Sequence, residues 1–337
     1  MDIKQLLFNL SDKVSIGNIS CASDTAAEYL SDYCDVKRLD CQTIVGTIKG
    51  DSDYTIMLDA HIDEVGMIVT NVADDGFLTV AKCGGIDLRH LPSKSVIVHG
   101  KKDITGVFCS TPPHLSKGEE EFSDIGKIKI DTGLGRAVRD IVSVGDFVTY
   151  NAKAQSLMGD RVCGKSFDDR SGVVCLLELA KRLKGKKLPC NVVFLLSNAE
   201  ELGLRGAKTA TFTVEPDESV AIDVSFGDGP DVPADLCGKL GGGAMIGMSP
   251  VLYKNISKKL IDLAKKNSIP YQTEVMGETT STNADVISVS KNGVRCGLVS
   301  IPLRNMHTDV EVLDMCDIKS VCDLLEQYIL SGGVMND

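Results

Sequence analysis

An α/β fold interrupted by a small all-β insertion is predicted by three features of the 337-residue sequence. The run Asn191–Leu196 has the length and β-branched content of a strand buried on both faces, and it leads into Glu200, Glu201, Gly203 and Gly206. Apolar stripes at helical spacing recur at 169–184, 250–267 and 317–330. Between 67 and 160 the texture changes to short β-rich runs separated by Gly, Asp, Pro and Lys turns, with no helix of ten or more residues. These observations divide the chain into a discontinuous α/β domain, 1–66 with 161–337, and an inserted β-rich domain, 67–160.

In chain order, residues 3–10 and 24–33 read as short amphipathic helices, the second capped by Ser23-Asp24. Strands are expected near 43–50 and 54–58, the latter running into Asp59-Ala60-His61-Ile62-Asp63-Glu64-Val65-Gly66. Within the insertion, strands are expected at 68–71, 77–81, 95–99, 105–109 and 147–150. A helix over 169–184 precedes the Asn191 strand, and another strand is expected at 219–224. The helix over 250–267 has Pro250 placed for its first turn. A short helix at 284–290, a strand at 293–300 and a helix over 317–330 ended by Gly332-Gly333 complete the α/β pattern.

A net charge of −11 disfavours nucleic acid and anionic membranes, both of which select basic patches. No apolar run reaches the ~18 residues of a membrane span, and the start does not read as a signal peptide, so a cytoplasmic location is expected. The twelve cysteines are scattered, several of them (Cys175, Cys190, Cys296) in apolar runs, and form no Cys-x-x-Cys pair. They read as buried free thiols in a reducing compartment.

Metal-ligand side chains stand at strand ends or in the loops that follow. They occur in His61-Ile62-Asp63, Phe167-Asp168-Asp169-Arg170-Ser171-Gly172, Glu200-Glu201, Ala221-Ile222-Asp223-Val224 and Asn305-Met306-His307-Thr308. Taken singly, each has a plain alternative. Glu200-Glu201 reads as a solvated acidic turn, Asp168 or Asp169 as a helix cap, and a strand-end His as a satisfied hydrogen-bonding residue. Taken together, His, Asp and Glu at several strand ends of one sheet point to a divalent-metal site, because ligands bind open α/β sheets at the carboxyl ends of their strands.

In this order the five segments resemble the tetrahedral (TET-type) metallo-aminopeptidases, the glutamyl and deblocking aminopeptidase family, some members of which have carried the label cellulase or endoglucanase. The resemblance covers nearly the whole chain, including the β-rich insertion. It implies a zinc-peptidase-like α/β sandwich that removes N-terminal residues from peptides. It implies that His61, Asp168, Glu201, Asp223 and His307 hold two divalent ions, zinc or cobalt with manganese a further candidate, and that Asp168 bridges them. It assigns Glu200 as general base and Asp63 as the acid that orients His61. It also implies dimers, formed through the insertion, that assemble into a hollow tetrahedral dodecamer. Two stretches depart from the family pattern: Thr280-Ser281-Thr282-Asn283-Ala284, where Gly-Gly-Thr-Asp-Ala is common, and Thr308-Asp309, where Ser-Pro is frequent.

Other chemistries fit the sequence less well. A glycosidase also uses paired carboxylates but needs no metal-binding histidines, and its sugar platforms are usually aromatic; this chain has no Trp and 5% aromatics. A silent metal-binding assembly protein would need no base such as Glu200. Two-metal phosphatase chemistry lacks an evident Arg/Lys phosphate cluster. For the substrate's first residue, Asp228, Asp231 and the stretch 280–283 are the candidate pocket residues. Their acidic balance favours neutral or basic side chains over Glu and Asp.

Overall fold

Alternation along one strand decides the layering. In Asn191–Ser197, Val192, Phe194 and Leu196 enter one hydrophobic cluster, and Val193 and Leu195 enter another on the opposite face. A strand apolar on both faces requires cover on both. The computed structural model, which describes residues 2–112, 114, 115, 124–230 and 232–335, supplies it. Helices Phe167–Leu183, Lys254–Lys266, Met315–Leu330 and the N-terminal Ile3–Ser11 and Cys21–Ser31 cover the first face. Arg205–Val214 and Ala284–Ser288 cover the second with small residues such as Ala207, Ala210 and Ala284.

Among the described residues the sheet between these layers has eight strands. Their spatial order is Tyr271–Val275, Ala244–Met248, Arg295–Leu303, Glu218–Phe226, Thr55–His61, Asn191–Ser197, Ile44–Ile48 and Asp35–Arg38. The four inner strands, from Arg295–Leu303 to Asn191–Ser197, run parallel, and their outer neighbours are antiparallel to them. Register sets Ser197 beside His61 and Asp223 beside Ser300 at one end of the sheet.

Between Gly66 and Tyr150 six strands of the described residues form a closed barrel. Its strands are ordered Ile130–Asp131, Leu78–Cys83, Gly66–Val72, Phe147–Tyr150, Ser95–His99 and Asp103–Phe108. It has its own core, including Met67, Val80, Val98, Phe108 and Val148, and among the described residues closure leaves no unpaired edge in this sheet. The chain returns through Arg161–Gly164, which pairs with Glu311–Asp314.

Buried charges fasten the join. Glu64 Oε2 accepts from Lys165 Nζ at 2.5 Å and from Ser166 Oγ at 2.7 Å, and Glu64 Oε1 pairs with Arg170 at 2.8 Å. All three charged side chains are buried. Arg170 also donates to the carbonyls of Leu10 at 2.7 Å and Ile62 at 3.3 Å, so one guanidinium links the end of the first helix to the loop after His61. Burial alone would raise the Glu64 pKa, but the charges of Lys165 and Arg170 bring it down to about 2.

Some boundaries differ from the sequence reading. The second helix begins at Cys21, so Asp24 lies in its first turn, accepting from Ser20 Oγ at 2.9 Å, and does not cap it with Ser23. The helix expected from Pro250 starts at Lys254, because Leu252 N bonds back to Ser249 O at 3.1 Å and closes a turn first. Ala244–Met248 and Tyr271–Val275 were not expected as strands: the first is a buried apolar run of only five residues, and the second, at the sheet's edge, is mostly polar and half-exposed. All twelve cysteines are free, and Cys175, Cys190 and Cys296 are buried as expected, whereas Cys21, Cys109 and Cys316 are exposed. No helix of the described residues is long and apolar enough to cross a membrane.

Candidate active site

Strand alternation aims the site residues at one face. On Thr55–His61 the residues Met57, Asp59 and His61 share a face, and on Glu218–Phe226 Ala221, Asp223 and Ser225 do the same. Met57 and Ala221 belong to the cluster on the second face, so His61 and Asp223 lie on that face at the sheet's carboxyl end. Glu200 and Glu201 arrive differently. Their strand stops at Ser197, and Ala199 takes φ 59°, so a turn presents both carboxylates, and strand alternation does not separate them. Asp63 holds that turn, accepting from Glu200 N at 3.0 Å and Glu201 N at 3.3 Å.

Asp168 is the centre of the arrangement. Its Oδ1 lies 2.9 Å from His61 Nε2 and its Oδ2 lies 3.1 Å from His307 Nε2. One carboxylate thus presents one oxygen to each of two imidazoles. His307 Nε2 is also 3.1 Å from Glu201 Oε1. The ring's other nitrogen, Nδ1, donates to the Gly85 carbonyl at 2.8 Å, which leaves Nε2 free to offer a lone pair. Ligand atoms of His61, Asp168 and Glu201 all fall within 4.8 Å of one another. Asp223 and Glu200 line the same cavity, of about 420 Å³.

The structure therefore gathers His61, Asp168, Glu200, Glu201, Asp223 and His307 around one cavity, with Asp63 directly behind the turn. Asp63 Oδ1 stands 3.6 Å from His61 Nδ1, beyond hydrogen-bond length, and His61 Nδ1 is buried without a partner. Asp169, not Asp168, does the work of a helix cap, accepting from Gly172 N at 2.9 Å. Burial pushes the Glu200 carboxyl up to about 8, with Glu201, Asp168 and Asp63 adding to the rise and His61 opposing it. Asp223 is raised well above its ordinary value, first by burial and then by Asp169. No Lys or Arg among the described residues lines this cavity.

Several residues that position the site stand outside the motifs that the sequence singles out. Glu311 is buried and accepts from Phe167 N at 2.6 Å, Asp168 N at 3.2 Å and His307 N at 2.9 Å. One carboxylate thereby fixes the backbone at Asp168 and at His307. Its place four residues after His307 was the available clue. Gly85 comes from the barrel segment, where no catalytic residue was evident in the sequence. A Cβ there would lie 2.7 Å from His307 Nδ1, so the close approach requires glycine. Lys94 adds a bridge to Asp309 at 2.7 Å, one of the positions that departs from the family pattern.

The candidate pocket residues sort differently from expectation. Thr280, Ser281 and Thr282 line the cavity, and Asn283 Nδ2 donates to Asp59 Oδ2 and Ser197 Oγ, each at 2.8 Å. Asp228 does not line it; Arg304 at 2.9 Å and Leu240 N at 3.1 Å hold it in its loop. Asp231 lies outside the described residues. The carboxylate that does enter the cavity wall away from the histidines is Glu274, which the sequence reading passed over.

A family model described as M42 glutamyl aminopeptidase matches residues 42–324, most of the chain. The chain belongs to this family. An aminopeptidase-named protein of Acetivibrio thermocellus is 30% identical over 97% of this chain and 98% of its own. An aminopeptidase from the archaeon Desulfurococcus kamchatkensis has TM-score 0.92 at 30% identity, over 98% of this chain and 94% of that one. The TET1 peptidase of Pyrococcus horikoshii, described as assembling into a tetrahedron or a large octahedral shell, has TM-score 0.87 at 28% identity, over 98% and 99%. As a member of the M42 family the protein is an aminopeptidase-type hydrolase, and its mixed α/β fold is that of the TET aminopeptidases.

Proposed function

We propose that this M42 chain is a two-metal aminopeptidase in which Asp168 bridges the ions and Glu200 is the general base. The observation that carries the reading is the pairing of Asp168's two oxygens with two different imidazole nitrogens. The donor set fits divalent cations. His307 Nδ1 is committed to the Gly85 carbonyl, so Nε2 and the facing oxygens of Asp168 and Glu201 are all lone-pair donors converging on one point, and no Lys or Arg among the described residues lines the cavity to balance them. Against the effect of burial, hydrogen bonds to Asp168 and Glu201 raise the His307 pKa to about 11, and a divalent cation would take that proton's place among the same donor atoms.

His61 and Asp223 would hold one ion, Glu201 and His307 the other, with Asp168 shared. Zinc, cobalt or manganese suits such mixed nitrogen and oxygen ligands. Bound there, the ions would supply positive charge that lowers the pKa of water and polarises the scissile carbonyl. The chain's own contribution is proton handling and orientation. Glu200 takes a proton from the attacking water on a carboxylate oxygen and delivers it to the departing amine nitrogen as the C–N bond breaks. Asp63 fixes the turn that presents Glu200, and Glu311 fixes the backbone that presents Asp168 and His307.

Self-association, with the barrel contributing to the contact between copies, is proposed on the likeness to the shell-forming TET1 peptidase. One experiment tests both statements: size-exclusion fractions of the purified protein are assayed for hydrolysis of lysyl-, arginyl-, leucyl- and glutamyl-p-nitroanilides. Activity should elute at a mass many times the 36.1 kDa of one chain. No hydrolysis in any fraction refutes the enzyme; activity only at the mass of one chain refutes the assembly.

A further inference from the structure

Apart from the four carboxylates grouped around His61 and His307, the described residues contribute one more to the cavity wall, Glu274. It lies on the Tyr271–Val275 strand, where register pairs it with Gly247 of the neighbouring strand. Its two oxygens are held by two hydroxyls. Ser300 Oγ donates to Oε2 at 2.8 Å, and Ser225 Oγ donates to Oε1. Both serines come from the inner strands that carry the site: Ser300 sits beside Asp223 in the register, and Ser225 follows Asp223 on the same face. The sheet thus joins the ligand cluster to Glu274 through a continuous polar strip.

Burial raises the Glu274 pKa above its ordinary value, the hydrogen bonds from Ser225 and Ser300 oppose the rise, and no basic side chain among the described residues pairs with it. No Lys or Arg among the described residues lines the cavity. The serines neutralise nothing and use only part of its acceptor capacity. The same cavity also has apolar lining from Met276, Leu298 and Met306, beside the polar stretch 279–282. Apolar walls with one anion suit a side chain that has an aliphatic stem and a cationic tip. Burying a carboxylate in this way is costly unless such a cation arrives to share it.

We propose that Glu274 is a specificity-determining residue that receives the ammonium or guanidinium of an N-terminal lysine or arginine, making basic residues the preferred substrate class. This rests on the aminopeptidase reading of the same cavity. The substrate's free amine is held at the ligand cluster, its stem packs on Met276, Leu298 and Met306, and its charged tip bonds to Glu274 between Ser225 and Ser300. An N-terminal Glu or Asp would meet Glu274 as a like charge, with no compensating Lys or Arg among the described residues of the cavity wall. The preference therefore runs opposite to the word "glutamyl" in the family's description.

The test is a panel of lysyl-, arginyl-, leucyl- and glutamyl-p-nitroanilides with the native enzyme and with Glu274→Gln. The native enzyme should show the highest kcat/KM for the lysyl and arginyl compounds and the lowest for glutamyl. In Glu274→Gln the lysyl-to-leucyl ratio should fall by at least ~10-fold, the scale of one hydrogen bond to a charged group. A native preference for glutamyl or leucyl overturns the proposal even if the variant fails to fold. A lysyl preference that Glu274→Gln leaves unchanged overturns it as well. Failure to hydrolyse any of the four would instead refute the aminopeptidase reading itself, so the two failures are separable.

Discussion

Glu200→Gln lowers kcat for a good aminoacyl-p-nitroanilide by at least ~10², within the range typical of a lost general base, while the protein keeps its metal. The amide preserves size and most hydrogen bonding but cannot take a proton from water. Glu200 belongs to the cavity wall, and the close carboxylate approaches to His61 and His307 among the described residues come from Asp63, Asp168 and Glu201, not Glu200. Glu201 stands 3.1 Å from His307 Nε2, as a ligand should, so Glu201→Gln lowers metal occupancy as well as rate. Metal analysis and kinetics on the two variants check the division of labour. Retained metal in Glu201→Gln with metal loss in Glu200→Gln would reverse the two roles.

Glu64→Gln destabilises the fold by about 3–5 kcal/mol at neutral pH, because it strands two buried cations. Lys165 and Arg170 are each buried and each paired with Glu64, at 2.5 and 2.8 Å. Arg170 keeps its carbonyl partners in the variant, whereas Lys165 keeps only Ser166 Oγ at 3.2 Å. Burial already lowers the Lys165 pKa, so the variant is expected to relax by losing that proton. The pH dependence follows from the depressed folded-state pKa of about 2. Stability from the Glu64 charge is fully present above its unfolded pKa of ~4.3 and is lost as pH falls through about 2. Urea unfolding of native and variant proteins should show a gap at pH 7 that narrows below pH 4. A gap under ~1 kcal/mol at pH 7 would contradict the account of this cluster.

The sequence was most informative where one physical rule acted alone. The apolar run before Glu200 had to be a buried strand, and His61 and Asp223 had to share a face with Met57 and Ala221 once their strands were placed. It was least informative where a residue's meaning comes from a distant partner. Glu311 reads as an ordinary polar residue until the fold brings Phe167, Asp168 and His307 to it. Gly85 is one of 32 glycines until the barrel delivers its carbonyl to His307. Glu274 sits in a strand with little apolar patterning, and only the register of three other strands brings Ser225 and Ser300 to it. Asp228 shows the converse: local acidity suggested a pocket, but Arg304 had already claimed it.

The central claim is that two divalent ions flank Asp168. Diffraction from crystals of the zinc-loaded protein, recorded above and below the zinc absorption edge, tests it most directly. The account predicts two anomalous peaks per chain on opposite sides of the Asp168 carboxylate, one beside His61 and one beside His307. A single peak bound by neither histidine, or none in a protein that still hydrolyses aminoacyl-p-nitroanilides, would contradict it.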